Sequence, residues 1–391
     1  MRILHVGKFF HPSHGGIESF LLDLARESAA QGAEQGLIVH AQKGERSGDQ
    51  DLAGYPFLRH FDRVRTLGSL GYAPISPGFS LRLARALKRF RPELLYLHMP
   101  NPSAFWVLTN RQARRIPWII HWHADASGPE FEGLVRFLYP VYRPFEQALL
   151  SRASRVIVSS QAYLDSSQAL QGWHSTCRVV PLGLDPKRID QGTAESTTQP
   201  WGQDGRLRIV AVGRLTPYKG FDVLIRALAA TEAELIIVGE GKQRAQLERL
   251  IARLQLENRV HLRGAVSDTT RNLLLHSSDL ICLPSKNRAE AFGVSVLEAM
   301  ALGKPALVSR LEGSGLPWLV EDELTGWHVT PGDAAALAER INKLSDNRPA
   351  LLAAGARAAQ RYREHFDIHR VTRRIIEIQQ ECIASGTKRG D

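Results

Sequence analysis

Two rhythms alternate along the chain. Short runs such as RILHVGKFF (2–10), GLIVHA (36–41), ELLYLHMP (93–100), PWIIHWHA (117–124), SRVIVSS (154–160) and CRVVPLG (177–183) are dense in Val, Ile, Leu and aromatics, the pattern of buried strands. Between several of them, residues 16–31, 79–90 and 132–152 place apolar side chains at a helical period. A polar stretch, DPKRIDQGTAESTTQPWGQDGR, then shows no apolar periodicity and reads as a linker. The alternation resumes with strands in 207–215, 233–241, 259–266, 279–285 and 305–310, separated by helices over 220–230, 242–256, 268–276 and 294–302. Residues 349–386 are helical in pattern, with no strand left to cover.

Strands alternating with helices predict the α/β class: two Rossmann-like domains facing across a cleft formed by the carboxyl ends of two parallel sheets, where such proteins bind ligands. The expected boundaries are 1–185 for the first domain, 186–206 for the linker and 207–348 for the second. The helices of 349–391 are expected to pack back on the first domain.

The 391 residues, 43% of them hydrophobic, suffice for two ordinary domains. Three cysteines, Cys177, Cys282 and Cys382, share no metal-ligand spacing and leave one unpaired, which predicts a reducing, cytoplasmic setting. The N-terminus is too short in apolar residues for a signal peptide, and no apolar run reaches membrane-span length. The net charge of +10 is concentrated: from Arg59 to Arg115, eleven Lys and Arg stand against two acids, Asp62 and Glu93. FSLRLARALKRFRP (79–92) interleaves Arg82, Arg85, Lys88, Arg89 and Arg91 with leucines, a basic amphipathic helix suited to an anionic lipid surface or to a solvated face. With no interleaved set of stacking aromatics, nucleic acid is not expected.

SKNRAEAFGVSVLEAMALGKP (285–305) sets Glu290 and Glu298 eight apart around Phe292-Gly293. Two carboxylates on one helix face would stand three, four or seven apart. Eight with a glycine between them suggests a loop and a helix sharing one ligand. VGRLTPYKG places Arg214 and Lys219 just after a strand, where two cations can neutralise a diphosphate, one as a fork and one as a point charge. HPSHGGIES puts Gly15-Gly16 in a turn that opens a helix, a candidate anion nest. Neither a P-loop nor a G-x-G-x-x-G string accompanies these. PWIIHWHAD carries His121 and His123 to one face at a strand's end, followed by Asp125; the set is weak for a metal and better suited to hydrogen-bonding a polar ligand.

GGIES, HWHAD, VVPLGLD, GRLTPYKG and SKNRAEAFGVSVLEAMALGKPALVS, in this order, resemble the retaining GT-B glycosyltransferases of family 4, over residues 1 to about 345. The resemblance implies transfer of a sugar from a nucleoside diphosphate, GDP- or UDP-linked, to a glycan or lipid-linked acceptor, with the anomeric configuration retained. It places the donor sugar on Glu290 and the Ala291-Phe292-Gly293-Val294 backbone, with His123 also on the sugar. By the same carry-over the ribose falls to Glu298, the diphosphate to Arg214 and Lys219, the reacting phosphate near Gly15-Gly16, and the base near Gly264. No metal or other cofactor is implied. Leu182, where Asn is frequent, and Glu321, where Asn is expected, depart from the pattern. HWHAD points to a subgroup resembling bacterial surface-polysaccharide mannosyl- or rhamnosyltransferases, working in the cytoplasm or peripherally on the inner leaflet. A sugar-nucleotide epimerase of the same fold and a non-catalytic nucleotide-sugar-binding protein are the alternative classes.

Overall fold

The computed structural model describes all residues except 14, 43, 50–51, 71–72, 127–133, 191–200, 203–204 and 388–391. The chain divides into two compact units, residues 1–183 with 368–391, and residues 184–367.

In the first unit the strands are β1 (Arg2–Val6), β2 (Glu34–His40), β3 (Gly48–Asp49), β4 (Leu58–Val64), β5 (Gly68–Leu70), β6 (Ala73–Ile75), β7 (Leu94–Met99), β8 (Trp118–Trp122), β9 (Arg155–Val158) and β10 (Cys177–Val179). One sheet runs β10-β9-β8-β7-β1-β2-β4-β3, and β5 and β6 form a separate hairpin. The large sheet is parallel apart from β3, which pairs antiparallel with β4. Every residue of β7 and β8 is buried, as befits strands covered on both faces. The connection leaves β1 toward β2 on one side and returns to β7 on the other, so the order reverses between β1 and β7.

The second unit repeats the plan with β11 (Arg208–Val212), β12 (Glu234–Val238), β13 (Val260–Gly264), β14 (Leu280–Leu283), β15 (Ala306–Ser309) and β16 (Gly326–Val329). All are parallel, in the order β13-β12-β11-β14-β15-β16, with the reversal between β11 and β14. A core of Ile209, Ala211, Leu224, Leu235, Ile237, Leu280 and Leu307 joins this sheet to the helices over one face. Helix starts follow local chemistry: Ser267 accepts from the Thr270 amide, and Asp333 from those of Ala335 and Ala336.

Two expectations need correction. The linker is not free of structure: Pro186–Asp190 is a helix of the second unit, and Arg188 and Trp201 are buried there; the rest of the expected linker includes residues outside those described. The tail does not stay together. Helix Arg348–His365 belongs to the second unit, and the chain breaks at Phe366-Asp367 before helix Ile368–Thr387, which lies with the first. Glycine explains that second attachment, because a Cβ on Gly183 would come 2.9 Å from the Val371 Cβ. Strand β4 escapes the apolar pattern since Asp62 and Arg63 are buried in it, Asp62 held 3.5 Å from Arg82 and Arg63 3.7 Å from Glu45. Among the described residues, no helix is long and apolar enough to cross a membrane.

Candidate active site

In a doubly wound sheet, the loops leaving the two strands at the reversal splay apart and expose their backbone. In the second unit those loops follow β11 and β14, and they hold Lys219 and Glu290. The Lys219 Nζ donates to Glu290 Oε2 at 2.6 Å, both side chains buried. The Ser285 hydroxyl donates to the same oxygen at 3.1 Å, and the Ser314 hydroxyl to the Glu290 carbonyl at 2.5 Å. Backbone seals the two loops together: the Lys286 amide donates to the Tyr218 carbonyl at 2.7 Å. Gly220 is required here, with φ +69° and a would-be Cβ only 2.0 Å from the Pro284 oxygen.

Burial alone would depress the Lys219 ammonium, but the charge of Glu290, with Tyr218 and the hydrogen bond to Glu290, more than offsets it and holds the pKa above the ordinary lysine value. Arg214, exposed in the same loop, works the other way on Lys219. Two cations beside one carboxylate leave this cluster net positive, which suits an anion. A lysine has three donors. One is engaged by Glu290, and the others are suited to oxygens of a ligand.

Ala291, Phe292 and Gly293 carry the chain from Glu290 into helix Val294–Ala301. The Phe292 ring is buried against Trp318 and Phe366, so its backbone alone can meet a polar ligand. Gly293, with φ +95°, caps the helix where a Cβ would lie 2.6 Å from Leu316 Cδ1. Glu298, one turn further, is buried between two guanidinium groups, Arg188 and Arg271, each at 3.7 Å. Asn272 donates to the Arg188 carbonyl at 2.9 Å, and Arg271 also pairs with Asp268 at 2.8 Å. Neither arginine stood out in the sequence. Arg188 lay in the expected linker; for Arg271 the spacing to Asp268 was a usable sign. Gly264 ends β13 with φ +73° beside Glu240, which pairs with Arg244 at 2.8 Å.

Gly15, Gly16 and His123 belong to the first unit. Gly15 is extended and precedes helix Gly16–Ala30; a Cβ on it would lie 2.2 Å from the Glu18 carboxylate, a flexible neighbour. His123 follows β8 and is buried. It joins a file of histidines from three adjacent strands: His98 Nδ1 is 3.0 Å from His123 Nε2, and His5 Nδ1 is 3.1 Å from His98 Nε2. His121 stacks on His123 at 4.3 Å with 7° between the planes. Burial pulls His5 down to about 4 and His123 to about 3, with His98 and His121 also well below the ordinary value. These imidazoles are neutral at pH 7.

Nitrogens of His98, His121 and His123 lie within 4.8 Å of one another. Both His98 nitrogens are nevertheless engaged by neighbouring rings, and near-parallel rings send their lone pairs side by side rather than onto one point. Asp125 is a structural acceptor, taking hydrogen bonds from Trp122 Nε1 at 2.8 Å and the Ser167 hydroxyl at 2.6 Å. The sequence also contains an Asp-x-Asp string, Asp49-Gln50-Asp51. Its first carboxylate pairs with Arg82 and Arg89, and the other two residues lie outside those described.

Comparison with known proteins divides the chain at the same place. The family described as "Glycosyl transferase 4-like domain" matches residues 15–183, and "Glycosyl transferases group 1" matches residues 195–361. The D-rhamnosyltransferase WbpZ of Pseudomonas aeruginosa is 29% identical over 94% of this chain and 92% of that one. The O-antigen chain mannosyltransferase C of Escherichia coli is 27% identical over 94% of each. Among solved structures, Anabaena Alr3699/HepE in complex with UDP and glucose superposes with TM-score 0.73 at 22% identity, covering 97% of this chain and all of that one, a likeness of fold.

Proposed function

Because the chain belongs to the GT-B glycosyltransferases of family 4, we propose that it moves mannose or a related hexose from a nucleoside diphosphate to a glycan or lipid-linked glycan in cell-surface polysaccharide synthesis, with retention. The sugar class follows the rhamnosyl and mannosyl names of its relatives. The buried Lys219–Glu290 pair at the reversal of the second sheet carries the reading.

In this reading the diphosphate lies against Arg214 and Lys219, which take up the negative charge that develops as the sugar–phosphate bond breaks. Glu290 accepts from a sugar hydroxyl through the oxygen that Lys219 and Ser285 leave open. One residue pair therefore spans the scissile bond, with Lys219 on the leaving group and Glu290 on the sugar. No further carboxylate in these motifs is placed as a nucleophile, so the acceptor attacks from the face the diphosphate leaves. Its proton passes to the departing phosphate oxygen. Cation side chains carry the charge, and we propose that no metal is needed. The acceptor, when lipid-linked, is met at the inner leaflet of the cytoplasmic membrane by the basic surface of the first unit.

Lys219→Ala tests the core of this. Turnover with the accepted donor should fall by on the order of a hundredfold, since losing one transition-state charge contact costs a few kcal/mol. Near-parental turnover in a folded variant removes Lys219, and with it this site, from the account.

A further inference from the structure

The histidine file in the first unit has a direction, and one amide sets it. The Gln35 Nε2 donates to the Ala33 carbonyl at 3.1 Å, which turns its Oε1 toward His5, 2.8 Å from Nε2. An amide oxygen only accepts, so His5 carries its proton on Nε2. A neutral imidazole has one N–H, which makes His5 Nδ1 an acceptor, and the neighbour 3.1 Å away, His98 Nε2, must donate. The same step repeats. His98 Nδ1 accepts from His123 Nε2 at 3.0 Å, and His123 is left with a bare lone pair on Nδ1.

That last atom is buried and has no hydrogen-bond partner among the described residues. A buried acceptor left unmatched is costly, so this nitrogen is suited to a donor supplied by a ligand. His121, stacked on His123 at 4.3 Å, and Phe20, edge-on at 6.1 Å, hold the ring's plane without reaching its nitrogens. His121 stands outside the file, its Nδ1 bonded to the Tyr96 hydroxyl at 2.9 Å.

We propose that Gln35, His5 and His98 are positioning residues that fix His123 as a hydrogen-bond acceptor, so that the ligand group it meets is a donor, as a sugar hydroxyl is. The inference rests on the reading of His123 as a donor-sugar residue. It narrows that reading, because a carboxylate, or the doubly esterified diphosphate of a nucleotide sugar, has no proton at neutral pH and cannot partner this nitrogen. It also assigns a function to three side chains far from any recognised motif.

Histidine-selective 15N labelling of the full chain reads the tautomers directly at neutral pH. His5, His98 and His123 should all appear as Nε2–H with an unprotonated Nδ1. Gln35→Leu, which removes the terminal acceptor at similar volume, should release the set into mixed tautomers. The same variant should lower kcat for sugar transfer by about tenfold while leaving affinity for bare nucleoside diphosphate within about twofold, because only the sugar contact is disturbed. His123 observed as Nδ1–H in the parent protein overturns the inference whatever His123 does in transfer. Released tautomers with unchanged kcat overturn the positioning role. His123→Ala with unchanged transfer instead overturns the reading of His123, and the role of the other three falls with it, whereas the tautomer result stands.

Discussion

Glu290 and Glu298 lie eight residues apart and occupy different environments. Glu290 shares one oxygen with Lys219 and Ser285, and Glu298 lies between Arg188 and Arg271. The two should therefore fail differently when neutralised. Glu298→Gln should weaken binding of a bare nucleoside diphosphate several-fold, because it removes the carboxylate charge that holds the proposed ribose contact and balances two arginines. Glu290→Gln should leave that binding nearly intact and damage sugar transfer. Calorimetry with nucleoside diphosphate alone separates them, and equal losses contradict the division of labour. At this scale the sequence was readable where a residue sat in a motif. Lys219, Glu290 and Gly293 were legible because loop and helix signals framed them. Arg188 was hidden in a polar stretch whose apolar contacts are supplied by distant segments. His5 and His98 were hidden inside strand patterns, since no local spacing reports that three strands will lie side by side.

Strands β1, β7 and β8 carry their histidines through the middle of a parallel sheet, and this couples the sheet to pH. A buried imidazole with a lowered pKa binds fewer protons folded than unfolded. Its stabilising contribution is complete above the unfolded value near 6.5 and is lost as pH falls toward the folded values, about 4 for His5 and about 3 for His123. Denaturant unfolding of the first unit should therefore weaken between pH 7 and pH 5 by about 1.4 kcal/mol per pH unit for each proton taken up, with more than one proton involved. Glu146, whose carboxyl pKa burial raises to about 7, acts in the opposite sense and offsets about one of these protons, so a flat profile over that range still contradicts a set of four neutral histidines in the fold. Helix Phe79–Phe90 illustrates what its own pattern could not show. The pattern suits an anionic lipid surface or a solvated face, yet Arg82 and Arg89 pair with Asp49 from a distant strand. Lys88, Arg91, Arg111 and Arg115 instead line a surface cavity of about 660 Å3. If this surface meets anionic lipid, changing those four to Gln should abolish co-sedimentation with anionic vesicles at low salt, each cation contributing about 1 kcal/mol. Equal sedimentation of variant and parent excludes this patch.

For the molecule as a whole, the repeat of strand and helix made the α/β class and both parallel sheets legible. The division into units was harder, because the last helices have no strand to announce which sheet they cover. The break at Phe366-Asp367 lies inside a stretch of uniform helical pattern, and only packing shows that Arg348–His365 and Ile368–Thr387 belong to different units. The central claim is also a claim about the whole molecule: sugar transfer with retention, driven by cation side chains. The most direct measurement has two stages. A thermal-shift panel of GDP-, UDP-, ADP- and dTDP-sugars first identifies the donor, which at 100 times its dissociation constant should add about 2.7 kcal/mol. The product formed with that donor is then examined by NMR for its anomeric configuration, with and without excess chelator. The account predicts one stabilising donor, a product of the donor's own configuration, and a rate unchanged by chelator. An inverted product, or complete loss of transfer that added magnesium or manganese restores, would contradict it.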